Sequence, residues 1–310
     1  MYREQTFNNQ IPIFVDNDPS MGYETNNWTY IFRLPLILGL AFWVALKKMI
    51  LGSKLKINTF WFDGVSPACR AVKENATSWR ALDIIYNYRP GGDRSLSGRV
   101  TDFWNKLGNI MALRNRLKLV KKALKHIIED LLEKESEIRL VSIASGSAQG
   151  VIEIMSEFKE KGTFIKAIFL DLDLTAIEHS RKLAQEAGVI NQIKFLNENV
   201  RKLEEAVSGF NPNIVEVVGF LEYRPKERAI KLFQRIHRLL VPEGILITSS
   251  ISPNLESPFS HCVGDWPMFY RNLDKFIEII TKGGFSPPNV KVFYEPLKFQ
   301  KIAICRKFIQ

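Results

Sequence analysis

The residues best suited to gripping a nucleoside lie in Arg139–Gly150, RLVSIASGSAQG, and in the acid Asp171, which follows Gly146 by 25 positions. A short apolar run (Leu140, Val141, Ile143) stops in small residues, Ala144, Ser145, Gly146, Ser147, Ala148 and Gly150, and a helical pattern begins at Val151. A strand, a tight small-residue turn and a helix present backbone N–H groups and a helix N-terminus to a ligand. A second run, Ala167–Leu170, ends on Asp171, whose carboxylate beside the same crevice can accept two hydrogen bonds from a ribose. Turn and acid at this spacing point to a nucleoside-containing cofactor.

Such residues need a layered frame, and from Arg139 onward strands and helices alternate. Strands are expected at 139–144, 166–171, 193–196, 214–220 and 245–249, with helices near 150–161, 174–187, 201–207 and 227–240. Asn272 caps a helix that runs to Lys282 and stops at Gly283-Gly284, and two strands near 290–294 and 300–306 close the chain. Five strand–helix units and a closing strand pair mean a doubly wound, mostly parallel sheet of the α/β class, with its ligand crevice at the C-terminal strand ends beside the topological switch point.

Ahead of this frame the chain is harder to place. Residues 1–27 are polar, broken by Pro12, Pro19 and Gly22, and read as an extended arm. Trp28–Leu51 is the most apolar stretch, with a clean core of thirteen residues, Leu34–Leu46, short for a bilayer span. It reads as a buried accessory helix, a helix lying on a lipid-facing surface, or a span with Arg33 snorkelling. Pro35 and Gly39 argue against a straight helix there. No basic segment precedes it, as a signal peptide would need. Residues 52–111 read as helical, with Ser66-Pro67 a good helix start, a break at 75–78 and a Gly-rich loop at 89–98. Asn109–Glu135 is a long amphipathic helix leading into the first strand of the frame.

Among 310 residues the net charge is +10, and much of the excess lies in Lys106, Arg114, Arg116, Lys118, Lys121, Lys122 and Lys125. That run reads as a solvated helix face, or else as contact with anionic lipid or nucleic acid. The cysteines, Cys69, Cys262 and Cys305, are odd in number and form no C-x-x-C, so neither a disulfide framework nor a metal site is expected, and a reducing cytoplasm fits best.

Residues 112–306 resemble the class I S-adenosylmethionine-dependent methyltransferases. The glycine motif of that family is reflected in Ile143–Gly150, its ribose-binding acid falls on Asp171 in IFLDLD, and the residue beside its adenine falls on Asn199 in IKFLNENV. The strand facing the methyl group falls on VEVVGFLEY, and the turn before the fifth strand on LLVPEGILITSSI. The resemblance implies a Rossmann-like sheet of seven strands with a closing antiparallel strand and an N-terminal helical extension, divided as an arm (1–27), an extension (28–111) and a methyltransferase domain (112–310). It implies S-adenosylmethionine as cofactor, bound by Ala144, Ser145, Gly146, Ser147, Gly150, Asp171, Leu172, Asn199, Val200 and Gly219. The sequence departs from the pattern at Ser142, where the family usually has an acid, and at Ala144 and Ala148, where it has glycines, so the loop is expected to avoid positive φ at both alanines. A looser similarity, carried by GDWPMFYR at 264–271, is to bacterial enzymes that esterify hydroxy fatty acids.

Methyl transfer from a sulfonium needs a held nucleophile and excluded water; a base is required only for an alcohol or amine. The resemblance places candidate catalytic groups at Glu222 and Tyr223 after the fourth strand and at His261 after the fifth. Asp265, Trp266, Tyr270 and Arg271 are the expected substrate-binding residues, Arg271 as a carboxylate clamp. The expected acceptor is a hydrophobic small molecule or lipid with an oxygen nucleophile, met by a cytoplasmic protein touching an anionic membrane. Rival readings are RNA methylation along 106–125, a nicotinamide-dependent oxidoreductase, and a non-catalytic scaffold. Glu216, inside an apolar strand, either faces the cofactor or is paired and buried.

Overall fold

The computed structural model describes residues 5–7, 10–25, 30–53 and 55–308. In chain order its strands are β1 (Gln5–Phe7), β2 (Ile11–Val15), β3 (Ile138–Ile143), β4 (Ile165–Asp171), β5 (Ile193–Asn197), β6 (Ile214–Val217), β7 (Ile245–Ile251), β8 (Val290–Tyr294) and β9 (Gln300–Arg306). They form one sheet ordered β1-β2-β8-β9-β7-β6-β3-β4-β5. β3 to β7 run parallel, whereas β9 is antiparallel to both β7 and β8. β6 and β7 are buried along their whole length, as strands covered on both faces are, with Glu216, Thr248, Ser249 and Ser250 buried among the apolar residues. The order reverses direction at β3, between β4 and β6, which sets the switch point there.

Helices cover both faces. α5 (Gly108–Leu132), α6 (Gln149–Glu160) and α7 (Leu174–Glu186) share one apolar core with the sheet. The four-residue α8 (Leu203–Ala206), α9 (Lys226–Leu239) and α11 (Leu273–Lys282) share the other. The remaining helices, α1 (Tyr30–Leu51), α2 (Pro67–Glu74), α3 (Trp79–Tyr86), α4 (Leu96–Asn105) and α10 (Ser257–Cys262), build two smaller cores around Trp104 and Trp266. α1 continues as one helix through Pro35 and Gly39.

Three features differ from the sequence reading. First, the supposed arm contributes β2, parallel to β8, and Ile11 and Ile13 enter the core; Pro12 is tolerated because the strand lies near the sheet edge. Second, α5 runs unbroken across position 112, so no junction separates extension from domain there. Its first turn is held by Glu256, which accepts hydrogen bonds from the N–H groups of Gly108 (2.8 Å) and Asn109 (2.7 Å).

Third, the cationic run on α5 is not a solvated face. Arg114 binds Glu24 through two hydrogen bonds (2.6 and 2.7 Å), Lys122 bridges Asp16 and Asp18 (2.8 and 2.9 Å), and Lys121 and Lys125 pair with Glu153 and Glu157 on α6. Arg116 is buried. The acids of the first 25 residues and of α6 neutralise the helix from within, which leaves little of the charge free to track a phosphate backbone.

Candidate active site

The turn at 144–150 sits at the C-terminal end of β3, where a chain crossing from strand to helix must reverse within a few residues. Ala144 (φ 52°), Gly146 (φ 55°) and Ala148 (φ 50°) all adopt left-handed backbone, contrary to the expectation that the alanines would avoid it. The geometry of the turn outweighs a cost of about 1–2 kcal/mol for each Cβ. The turn is tied to β4: Ser145 N–H donates to the Leu170 carbonyl (3.2 Å) and Gly146 N–H to Asp171 Oδ2 (2.8 Å). A Cβ on Gly146 would meet that of Trp79 at 3.4 Å, so helix α3 closes over the turn.

Between them lies a cavity of about 690 Å³. Residues 144–151 and Asp171 form one wall, Val218–Phe220 and Glu222–Arg224 the floor, and Trp79, Leu82 and Tyr86 of α3 the roof. Pro267, Met268 and Phe269 close the side. Four carboxylates line it, Asp171, Asp173, Glu216 and Glu222, against two guanidinium groups, Arg116 and Arg224.

Asp171 Oδ1 accepts from Asp173 N–H (2.9 Å), so each carboxylate oxygen has one backbone partner and keeps a lone pair for another donor. Burial raises its pKa, and the loop N–H groups work in the opposite direction. Glu216 is both lining and paired: it stands beside Ser142 in the β3–β6 register and accepts from Ser142 Oγ at 2.5 Å. Burial pushes its pKa up to about 7. The carboxylate missing from β3 at Ser142 is thus supplied one strand away.

Arg116 reaches the floor from α5, donating to Tyr86 OH (2.9 Å) and lying 3.7 Å from Glu222. It closes on Gly219 (φ 74°), where a Cβ would stand 3.2 Å from the guanidinium. Arg116 Nε, Glu222 Oε2 and Ser145 Oγ are buried without hydrogen-bond partners.

The structure brings Ala144, Ser145, Gly146, Ser147, Gly150, Asp171, Gly219, Glu222, Tyr223 and His261 to this cavity. Leu172, Asn199 and Val200 lie outside its lining. Leu172 is exposed, and the Asn199 side chain accepts from Arg201 N–H to cap the turn at 200–202. Tyr223 OH accepts from Trp266 Nε1 (2.6 Å), and burial pushes its phenol pKa up. Trp266 is thereby a buried support rather than a pocket wall.

The substrate expectations for 265–271 are corrected in the same way. Asp265 pairs with Lys48 and accepts from Asn58 (3.0 Å), anchoring the extension. The Arg271 guanidinium donates to the carbonyls of Leu221 (2.8 Å) and Arg224, so it clasps backbone and lies outside the cavity lining. Tyr270 is half-buried away from the cavity. The wall comes instead from the intervening Pro267–Phe269.

Missed by the sequence reading were Arg116, Tyr86 and Trp79. Arg116 lies three residues after Leu113 and four before Val120, on the apolar stripe of α5, and that position signals an inward cation.

A family model described as "Putative methyltransferase" matches residues 41–286. The chain belongs to this family. With its fold, that makes it a class I S-adenosylmethionine-dependent methyltransferase. A Bordetella parapertussis structure described as a possible exported protein is similar over 95% of this chain and 100% of its own, at 16% identity and a TM-score of 0.68. Magnesium protoporphyrin IX methyltransferase from Synechocystis PCC 6803, with bound SAH, is similar over 73% of this chain and 99% of its own, at 14% identity and a TM-score of 0.50. At such identities these likenesses speak to the fold. No curated protein matches the chain.

The methyltransferase cavity fits its cofactor on three counts. A surplus of carboxylates suits a cationic ligand, the Gly146 cradle leaves backbone room beside it, and the buried Ser145 hydroxyl lacks a partner.

Proposed function

We propose that this methyltransferase acts on an oxygen nucleophile, carboxylate or hydroxyl, of a hydrophobic small molecule or lipid. The observation that carries the reading is the Arg116–Glu222 pair, 3.7 Å apart, set in a floor and side wall of Phe220, Met268 and Phe269. A buried cation–carboxylate pair in apolar walls suits an acceptor with one polar end and an apolar body.

S-adenosylmethionine supplies an activated methyl group, so the chain's own work is holding, orienting and drying the acceptor. Asp171, which holds the loop through Gly146, would take the ribose hydroxyls, and Glu216 would take the ammonium of the methionyl end. Arg116 orients an acceptor carboxylate. For a hydroxyl acceptor, Glu222 takes the proton as the new bond forms. The aromatic roof excludes water. The internal pairing of the α5 cations counts against RNA as acceptor.

Incubation with methyl-labelled S-adenosylmethionine and a panel of hydroxy fatty acids, fatty acids, alkylamines and RNA tests this. Label in an ester or ether of the apolar acids, read by mass spectrometry, is the expected result. Label confined to amines or RNA overturns it.

A further inference from the structure

Among the described residues, one helix carries nine of the nineteen large apolar side chains that are exposed. α1 docks through a single stripe, Ile37, Ala41 and Val44, onto a core containing Trp104 and Phe259. The opposite face holds Ile31, Leu36, Phe42, Trp43, Met49 and Ile50, with Phe42 and Trp43 at 72% and 61% exposure. Its mean hydropathy of 1.9 over an 18-residue window is that of a membrane helix, yet its length and composition alone do not separate a span from a surface helix. Water does not tolerate a contiguous apolar face of this size without an occupant.

The surrounding chemistry selects the occupant. From Thr25 to Phe62 the sequence contains no Asp or Glu, but carries Arg33, Lys47, Lys48, Lys54 and Lys56. Phe60 and Trp61, both more than half exposed, extend the apolar face beyond the helix end. A long apolar face with aromatic side chains, on a segment whose own charges are all cationic, matches the headgroup–acyl boundary of an anionic leaflet. The docking stripe decides between lying and spanning. Lys48 is fastened to Asp265 and to the Cys262 carbonyl (2.6 Å), and pulling α1 through a bilayer would expose the Trp104 core.

We infer that α1 is an in-plane anchor that seats this protein on an anionic lipid surface. The inference stands whatever the acceptor proves to be. It also has a consequence for the cavity: α1 packs on α10, whose His261 is a cavity residue, and Lys48 holds the loop leading to Pro267–Phe269. Docking therefore presses on two elements of the cavity wall.

The test is flotation of the full chain with vesicles of phosphatidylcholine alone or with about a third phosphatidylglycerol. The wild type is expected to float with the anionic vesicles, to be released by high salt or alkaline carbonate, and to show a blue-shifted tryptophan emission when bound. Phe42→Glu/Trp43→Glu should lower partitioning about 100-fold by removing buried apolar area and adding like charge to that of the leaflet. Unchanged S-adenosylmethionine binding by that variant certifies its fold. Three results overturn the proposal: no flotation of the wild type, flotation undiminished in the variant, or resistance to carbonate, which means a span. A concentration-dependent dimer abolished by the same substitutions, without lipid binding, overturns it in favour of a second copy as occupant.

Discussion

Residues 138–306 and residues 30–107 bury their apolar surface in different ways. In the first, β3, β4, β6 and β7 are largely buried, the edge strand β5 only in part, and two cores lie on either side of one sheet. In the second, helices α1–α4 assemble two small cores with Phe259 and Trp266 from the first region, and the longest of them, α1, leaves one face largely uncovered. The contrast separates two jobs. On the proposed reading the sheet holds the loop and the acids for the cofactor, and the extension roofs the cavity with Trp79, Leu82 and Tyr86. On that reading, variants in the 144–150 loop and its acids should move cofactor affinity, and variants at Glu222 or in the roof should move acceptor behaviour.

The sharpest break would come from Gly146→Val. A branched side chain at φ 55°, facing Trp79, should abolish S-adenosylmethionine binding in calorimetry while circular dichroism stays native. Retained binding would mean that sheet and extension do not meet over the cofactor. Next, Glu222→Gln should lower kcat about 100-fold for a hydroxyl acceptor and leave cofactor affinity within twofold. A carboxylate acceptor, needing no base, should escape that loss, so the same variant reports the nucleophile.

Asp171→Ala should weaken cofactor binding by about 1–3 kcal/mol, through lost charge-assisted hydrogen bonds and a loosened Gly146. Smaller still, Glu216→Gln should reduce affinity roughly tenfold at pH 8 while leaving 5′-methylthioadenosine, which lacks the amino-acid end, bound as before. The sign with pH follows from the carboxyl being held near 7. Below that value it carries a proton that a ligand cation must displace, so wild-type affinity should fall from pH 8 to pH 6, and in the variant that slope should vanish. The mildest change belongs to the extension: Leu82→Ala should raise the acceptor KM about threefold without altering cofactor affinity.

The same contrast governs what the sequence disclosed. Strands β3–β9 and helices α6–α11, apart from the short α10, fall within a few residues of their expected positions, because long periodic segments punctuated by glycine and proline leave few alternatives. Asp171 and the loop were legible for the same reason. Arg116 was not, since a cation among five others on one helix looks like surface until the acids at 16, 18, 24, 153 and 157 are seen to absorb its neighbours. Nor was the pairing of Ser142 with Glu216, which depends on strand register over 74 positions. The left-handed alanines were misjudged because local preference was set against a turn that tertiary structure dictates. At 265–271 the side chains singled out lie outside the cavity lining, which takes Pro267, Met268 and Phe269 instead, because which members of an irregular stretch face inward is set by tertiary contacts.

The unequal count of acids and guanidinium groups around the cavity bears on turnover as well as on affinity. Donating a methyl group turns a sulfonium into an uncharged thioether. Walls with surplus negative charge therefore hold the reagent more firmly than its exhausted form, and product inhibition should ease as salt is lowered and the field of those acids lengthens.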